Sequence, residues 1–224
     1  MSGNINVVLG GPSGYYPTDL KNRLQTGGRV IGVDYGAQWL LDNEIIPDMA
    51  IGDFDSISEC QKYQLKNKVD NCLIYSTHKD YTDGQLGLMK AVELLKQQGT
   101  DDLIMIYGAT GGRLDHLLSN IFMVLAPDVL PYVEKIRLID NHNEVIYISE
   151  GKHQFYAKQD QNQTYFSVIP LTGVSHLTIA GAKYPLTDFS SEQLQPFISN
   201  EFEEDNPIQV QLDKGIIAII YSKD

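Results

Sequence analysis

Residues 103–116 read LIMIYGATGGRLDH and decide the fold of the first part of the chain. A strand-length apolar run, Leu103 to Tyr107, leads into a glycine-rich turn and then into an apolar-striped helix that begins near Arg113. A buried strand that runs through a short loop into a helix is the unit from which parallel sheets are built. This segment therefore predicts an α/β fold, a mostly parallel sheet with helices on its faces.

The same alternation of strand and helix recurs up to about residue 140. Four further apolar runs are typical of buried strands: Ile5 to Leu9, Val30 to Val33, Met49 to Ile51 and Cys72 to Tyr75. The clearest helix is predicted over Thr82 to Gln98, with Thr82 as its N-cap, Asp83 in its first turn and Gly99 as its stop.

After Pro131 the pattern changes to short, often alternating apolar segments separated by turns. The segments are Ile136 to Ile139, Val145 to Ile148, Tyr165 to Ile169, Leu177 to Ile179, Ile208 to Leu212 and Ile216 to Tyr221. This spacing indicates an all-β sandwich. We therefore predict two domains, an α/β domain over residues 1–130 and a β-sandwich domain over residues 131–224.

The composition indicates a globular protein that does not bind nucleic acid. The 224 residues include 17 Lys and Arg against 29 Asp and Glu, a net charge of −12, and no stretch concentrates the basic residues. No apolar run reaches the roughly 18 to 20 residues of a membrane-spanning helix, and no signal peptide is recognisable. Cys60 and Cys72 lack metal-ligand spacing. We predict a soluble, cytoplasmic protein with no membrane partner.

Acidic residues follow the predicted strands, where a parallel sheet binds its ligands. They are Asp34 after the second strand, Asp53 and Asp55 after the third, Asp80 and Asp83 after the fourth, and Asp115 after the fifth. Carboxylate oxygens suit Mg²⁺, and in an extended loop Asp53 and Asp55 would point the same way. The simpler interpretation is that Asp53 caps a turn and Asp55 the next helix, but so many carboxylates at one edge favour a metal site.

A glycine-rich and basic set at the same edge is suited to phosphate. Gly111 and Gly112 precede a helix N-terminus, which attracts anions, and Arg113 can add a bidentate contact. Lys79 is a further candidate, although a lone Lys is usually a solvated surface residue, and His116 fits a structural role equally well. The P-loop, G-x-G-x-x-G and G-x-S-x-G motifs are absent, which disfavours P-loop kinases, dinucleotide oxidoreductases and serine hydrolases.

Several of these segments, in this order, resemble the thiamine pyrophosphokinase (thiamine diphosphokinase) family. The matching segments are 34–37 (DYGA), 52–56 (GDFDS), 79–83 (KDYTD) and 112–116 (GRLDH) with Asn120, and more loosely 181–186 (GAKYPL) and 199–200 (SN). GDFDS, KDxTD and GGRxDH are specific as a set, although each alone is weak. The resemblance covers nearly the whole chain and is strongest from residue 32 to residue 120.

The resemblance implies an α/β domain with the nucleotide and catalytic site, and a β-sandwich domain that contributes to thiamine binding. It implies a homodimer with active sites between its subunits. The reaction it implies is transfer of a pyrophosphoryl group from ATP, as co-substrate, to the hydroxyl group of thiamine, giving thiamine diphosphate and AMP with Mg²⁺. We interpret this reaction as an in-line displacement at the β-phosphorus in which one of the aspartates accepts the hydroxyl proton.

The resemblance also assigns roles to individual residues. The metal ligands are expected to be Asp53, Asp55 and Asp83. The catalytic residues are expected to be Asp53, Asp55, Asp80, Asp83, Arg113 and Asp115. The ATP site is expected to include Asp34, Ser56, Lys79, Thr82, Arg113, His116 and Asn120. The thiamine site is expected to include Ser199, Asn200 and Tyr184, whose ring would stack on thiamine where some relatives have Trp.

Two departures from the family pattern and two classes of rival function stay open. Gln85 stands where many relatives carry Glu, which puts any charge role there in doubt, and Ala182 replaces a common Leu. Tyr184 also fits a core position of the second domain. The same carboxylates would serve a metal-dependent nucleotide phosphohydrolase or another nucleotide-dependent transferase. From another class, the chain fits a thiamine- or nucleotide-binding module without turnover.

Overall fold

The computed structural model of the chain describes residues 3–55, 57–75, 81–158, 165–203 and 206–224. It divides into two compact units, Met1–Asn141 and His142–Asp224. None of the helices in the described ranges has the length and apolar character needed to cross a bilayer. The cytoplasmic location expected from the sequence stays a prediction.

The first unit is an α/β unit built on a parallel sheet, as the sequence predicts. Its strands are β1 (Ile5–Val8), β2 (Arg29–Val33), β3 (Met49–Gly52), β4 (Cys72–Ile74), β5 (Ile104–Tyr107) and β6 (Ile136–Ile139), in the order β6-β5-β1-β2-β3-β4. Every neighbouring pair is parallel. The helices are α1 (Leu20–Gln25), α2 (Tyr35–Asp42), α3 (Glu59–Lys68), α4 (Asp83–Gln98) and α5 (Leu114–Phe122).

The strand order determines where this sheet can bind a ligand. From β1 the chain builds outward through β2, β3 and β4, and then returns to place β5 on the other side of β1. The loops that follow β1 and β5 therefore leave the sheet toward opposite faces, and a crevice opens between them. All four residues of β1 are buried, because a parallel sheet is covered on both faces.

The second unit consists of two antiparallel four-stranded sheets within its described residues. The strands are β7 (Asn143–Ile148), β8 (Gly151–Phe155), β9 (Tyr165–Pro170), β10 (Val174–Ala180), β11 (Leu186–Ser191), β12 (Phe197–Asn200), β13 (Ile208–Leu212) and β14 (Ile217–Ser222). The sheet orders are β12-β9-β14-β7 and β11-β10-β13-β8. Phe166 and Ile219 of one sheet share a buried core with Leu177 and Val210 of the other, which is the packing of a sandwich.

Two features of the fold differ from the sequence prediction. Strand β6, which was expected in the β-sandwich domain, pairs in parallel with β5, so the first unit extends to Asn141 rather than to residue 130. Strands β8, β11 and β12 were not predicted. Among the described residues, each pairs with a single neighbour at a sheet edge and exposes at least half of its residues, so its sequence carries no long apolar run.

Candidate active site

A cleft of about 1180 Å³ opens in the first unit at the carboxyl ends of the parallel strands. We call it the cleft below. Of the residues that the sequence predicts for the site, it is lined by Asp34, Asp53, Asp55, Thr82, Asp83, Arg113, Asp115, His116 and Asn120. Ser56, Lys79 and Asp80 lie outside the described residues. The sequence prediction that these loops share one edge is therefore supported by the lining of a single cavity.

Two glycines line the cleft at the crevice between β1 and β5. A Cβ atom on Gly11 would lie 2.2 Å from the carbonyl oxygen of Gly108, and Gly108 itself has a φ of +71°. Only residues without side chains allow the loops after β1 and β5 to approach so closely. The backbone of both loops, rather than bulky side chains, therefore forms this part of the cleft surface.

Three carboxylates converge in the cleft. Asp34, Asp53 and Asp83 each offer an oxygen atom, and these oxygens lie within 4.8 Å of one another, with all three residues half-buried. We call them the carboxylate trio. They follow β2, follow β3 and begin α4 respectively, so three separate elements bring them together.

The trio contains two of the predicted metal ligands, Asp53 and Asp83, together with Asp34 rather than Asp55, and the predicted ligand set itself stays a prediction. The prediction assumed an extended loop, but Phe54 has a φ of +55° and is only 2% exposed. The Asp55 N–H donates a hydrogen bond of 3.1 Å to Asp53 Oδ1, which closes a tight turn. Asp55 is exposed in the cleft outside the trio, since the turn separates two side chains that a straight strand would align.

The start of α4 is fixed by a capping box, which confirms Thr82 as the N-cap. The Gln85 N–H donates to Thr82 Oγ1 at 3.2 Å, and the Thr82 N–H donates to Gln85 Oε1 at 2.8 Å. A neutral Gln accepts this bond as Glu does in other capping boxes, so the cap does not need a charge at this position. Asp83 then lies in the first turn, where the helix dipole favours an anion.

Arg113 and Asp115 form a two-pronged ion pair at the start of α5. Arg113 Nη2 lies 2.6 Å from Asp115 Oδ2, and Arg113 Nε lies 3.1 Å from Asp115 Oδ1. The hydrogen bond from Arg113 and, to a smaller extent, the bond from the His116 N–H, 3.0 Å from Oδ1, lower the pKa of Asp115 to about 2. Both side chains therefore stay charged at neutral pH, and the carboxylate orients an exposed guanidinium.

Asn120 tethers α5 to the loop after β5. Its Nδ2 donates a hydrogen bond of 2.8 Å to the carbonyl oxygen of Ala109. One of the two N–H donors of this amide is therefore engaged with the loop, and Asn120 helps to hold the Gly108–Gly112 loop in place.

The residues predicted for thiamine lie in the second unit, around one buried amide. Asn200 is 4% exposed, and its Oδ1 accepts hydrogen bonds of 3.0 Å from the Tyr184 and Glu201 N–H groups, while its Nδ2 donates to the Tyr184 carbonyl at 2.7 Å. Tyr184 is 57% exposed, so it is not a core residue. Ser199 is exposed and has a φ of +57°, and its N–H donates to Ser167 Oγ at 3.1 Å. The hydrogen bonds between the Asn200 side chain and the Tyr184 backbone therefore hold the turn that contains Tyr184.

The chain matches two family models. Residues 20–136 match "Thiamin pyrophosphokinase, catalytic domain", and residues 152–217 match "Thiamin pyrophosphokinase, vitamin B1 binding domain". The first match ends within β6, the last strand of the parallel sheet, and the second falls wholly within the β-sandwich unit.

Individual relatives cover the whole chain. The thiamine pyrophosphokinase of Bacillus subtilis (strain 168) is 39% identical over 222 residues, which is 98% of this chain and 99% of that protein. The crystal structure of a thiamin pyrophosphokinase family protein from Enterococcus faecalis superimposes with a TM-score of 0.88 at 32% identity, covering 99% of both chains. That of thiamine pyrophosphokinase from Bacillus subtilis gives 0.76 at 35%, also covering 99% of both. Since both units are matched in order and at nearly full length, the chain belongs to the thiamin pyrophosphokinase family.

Proposed function

We propose that this protein transfers the pyrophosphoryl group of ATP to the hydroxyl group of thiamine, giving thiamine diphosphate and AMP. Membership of the family over both units supports this activity. The observation that carries it in the structure is the carboxylate trio, which lies in the same cleft as the exposed guanidinium of Arg113. Acidic metal ligands beside a phosphate-binding cation are what phosphoryl-type transfer requires.

The donor set of the trio fits Mg²⁺. The ion takes oxygen ligands at about 2.0–2.1 Å, so adjacent ligands of its octahedron lie about 3 Å apart and opposite ligands about 4 Å apart. The trio oxygens, which lie within 4.8 Å of one another, would draw together around the ion. Asp34, Asp53 and Asp83 would hold the ion, and Asp55, in the same cleft, is proposed to contribute. When bound, Mg²⁺ neutralises charge on the phosphates and so favours attack by the hydroxyl oxygen.

The other residues of the cleft are proposed to bind and orient the nucleotide. The Arg113 guanidinium contacts the phosphates and stabilises the charge that develops as AMP leaves, and Asp115 holds the guanidinium in position. Backbone N–H groups at the start of α5 add to this anion site. A carboxylate of the cleft accepts the proton from the thiamine hydroxyl group.

The proposal is tested by product analysis with ATP and Mg²⁺, in the presence and absence of thiamine. We expect AMP and thiamine diphosphate in equal amounts, and neither after chelation of the metal. Formation of AMP or ADP without thiamine would instead identify a phosphohydrolase. Thiamine binding without any turnover would identify a binding module.

Tyr184 is proposed to stack on the thiamine ring. Its exposed ring, on a turn held by Asn200, supports this role, and the 5.6 Å from Lys183 Nζ to the ring centroid shows that a cation already approaches this ring. Because stacking on a cationic ring contributes about 1–2 kcal/mol, we expect Tyr184→Ala to raise the KM for thiamine roughly 10-fold and to leave the KM for ATP nearly unchanged. Steady-state kinetics with each substrate varied in turn measures both values.

A matched control for this prediction is Tyr156→Ala, which removes a similarly exposed tyrosine, 60% exposed, from the same unit. It should leave both KM values unchanged. A parallel rise in both KM values for Tyr184→Ala would assign Tyr184 a general structural role.

We also propose that the protein is a homodimer with active sites between its subunits. Helix α5 contains no buried residue, and its apolar side chains Leu114, Leu118 and Phe122, spaced four residues apart, are 68%, 50% and 39% exposed. An apolar helix stripe left in water favours association. We expect light scattering to give twice the chain mass of 25.1 kDa, and Leu118→Asp to give a single chain mass. Leu194→Asp, at an equally exposed leucine of the other unit, should stay dimeric.

A further inference from the structure

Gly52, the last residue of β3, lies against the carboxylate of Asp34. A Cβ atom on Gly52 would be 1.8 Å from Asp34 Oδ1 and 2.8 Å from its Cγ atom. Non-bonded atoms do not approach one another this closely. The Asp34 carboxylate therefore occupies the volume that any side chain at position 52 would need.

The backbone of Asp34, whose Cα atom would lie 3.3 Å from a Cβ atom on Gly52, is held in a conformation that residues other than glycine rarely adopt. Its φ and ψ are +47° and −122°. The Asp34 N–H donates to the Ile51 carbonyl at 2.9 Å, and its own carbonyl accepts from the Ala37 N–H at 3.1 Å. Asp34 stands at the N-cap of α2, yet its side chain does not cap the helix. Strain of this kind is typical of functional positions.

We infer that Gly52 is a positioning residue, which admits the Asp34 carboxylate to the trio by leaving its own side-chain volume empty. This inference rests on the proposed metal site. With alanine at position 52, the Asp34 carboxylate has to move by more than 1 Å to reach ordinary van der Waals distance. A ligand displaced by this distance no longer meets the short bonds that Mg²⁺ requires.

The inference predicts that Gly52→Ala weakens metal binding. Mn²⁺ is the probe: the purified chain is titrated without nucleotide, and free Mn²⁺ is measured by electron paramagnetic resonance, with Mg²⁺ as competitor. We expect the Mn²⁺ affinity to fall about 10-fold or more, which is the scale of a misplaced ligand. Gly27→Ala is the matched control, because Gly27 has a φ of +112°, which like the +154° of Gly52 is a conformation that residues with side chains rarely adopt, but open space around its Cβ position. It should keep the affinity of the wild type.

A second comparison separates this role from a general loss of structure. Asp34→Gly removes the carboxylate that the new methyl group at position 52 would meet, and glycine readily adopts the positive φ found at position 34. In that background we expect Gly52→Ala to cause no further loss of Mn²⁺ affinity, and a smaller fall in Tm than in the wild type. Equal losses in both backgrounds, including a failure of both Gly52→Ala proteins to fold, would overturn the inference. A wild type that binds no Mn²⁺ would overturn the proposed metal site, while the two Tm differences would still report whether Gly52 makes room for Asp34.

Discussion

Replacement of Asp53 by Asn is expected to lower kcat by at least about 100-fold, because it removes one charged ligand from the carboxylate trio. The substitution preserves shape, and the Asn Oδ1 can still accept the hydrogen bond from the Asp55 N–H that closes the turn. The fold should therefore persist. Without metal, the variant should melt at the same temperature as the wild type or slightly higher, since three carboxylates within 4.8 Å of one another repel.

The measurement is the rate of AMP formation at saturating ATP and thiamine, together with a metal-free thermal melt. Asp128→Asn is the control, because it removes an equal charge from an exposed position that does not line the cleft. Near wild-type turnover in Asp53→Asn would remove Asp53 from the metal site. A large fall in Tm would instead show that the carboxylate supports the fold.

Replacement of Arg113 by Ala is expected to lower kcat/KM for ATP by about 100- to 1000-fold. Arg113 is the cation that the start of α5 presents in the cleft, and a cation on the transferred phosphates acts mainly in the transition state. Arg113→Lys should recover only part of the loss, because an ammonium group supplies the charge without the planar fork that binds phosphate in two places.

The control for Arg113 is Arg29→Ala. Arg29 Nη1 lies 2.7 Å from Asp48 Oδ1 in another exposed ion pair, which does not line the cleft. Exposed pairs contribute about 0–1 kcal/mol to stability, so both alanine variants should melt close to the wild type, and only Arg113→Ala should lose activity. If Arg113→Lys were as active as the wild type, Arg113 would serve as a point charge alone. Unchanged kcat/KM in Arg113→Ala would exclude it from the nucleotide site.

Local patterns in the sequence were sufficient to predict the parallel sheet, the capping of α4 by Thr82 and the edge at which the polar loops meet. These features depend on neighbouring residues: apolar periodicity selects strand or helix, and a threonine followed three residues later by glutamine caps a helix by itself. Parallel strands then carry their carboxyl ends to the same edge in any order. The cleft could therefore be predicted before its shape was known.

Which carboxylates meet in that cleft was decided only by the tertiary structure. Burial of Phe54 in the core beside Ala50, Ile57 and Leu65 imposes a left-handed turn, which removes Asp55 from the trio. Asp34 joins the trio instead of Asp55, because Gly52 has no side chain and leaves room for the Asp34 carboxylate. Likewise, edge strands such as β8 form because a neighbour offers hydrogen bonds, and their own polar sequence does not predict them. In each case the deciding contact joins residues that only side-chain packing or strand pairing brings together, so no local pattern in the sequence predicts it.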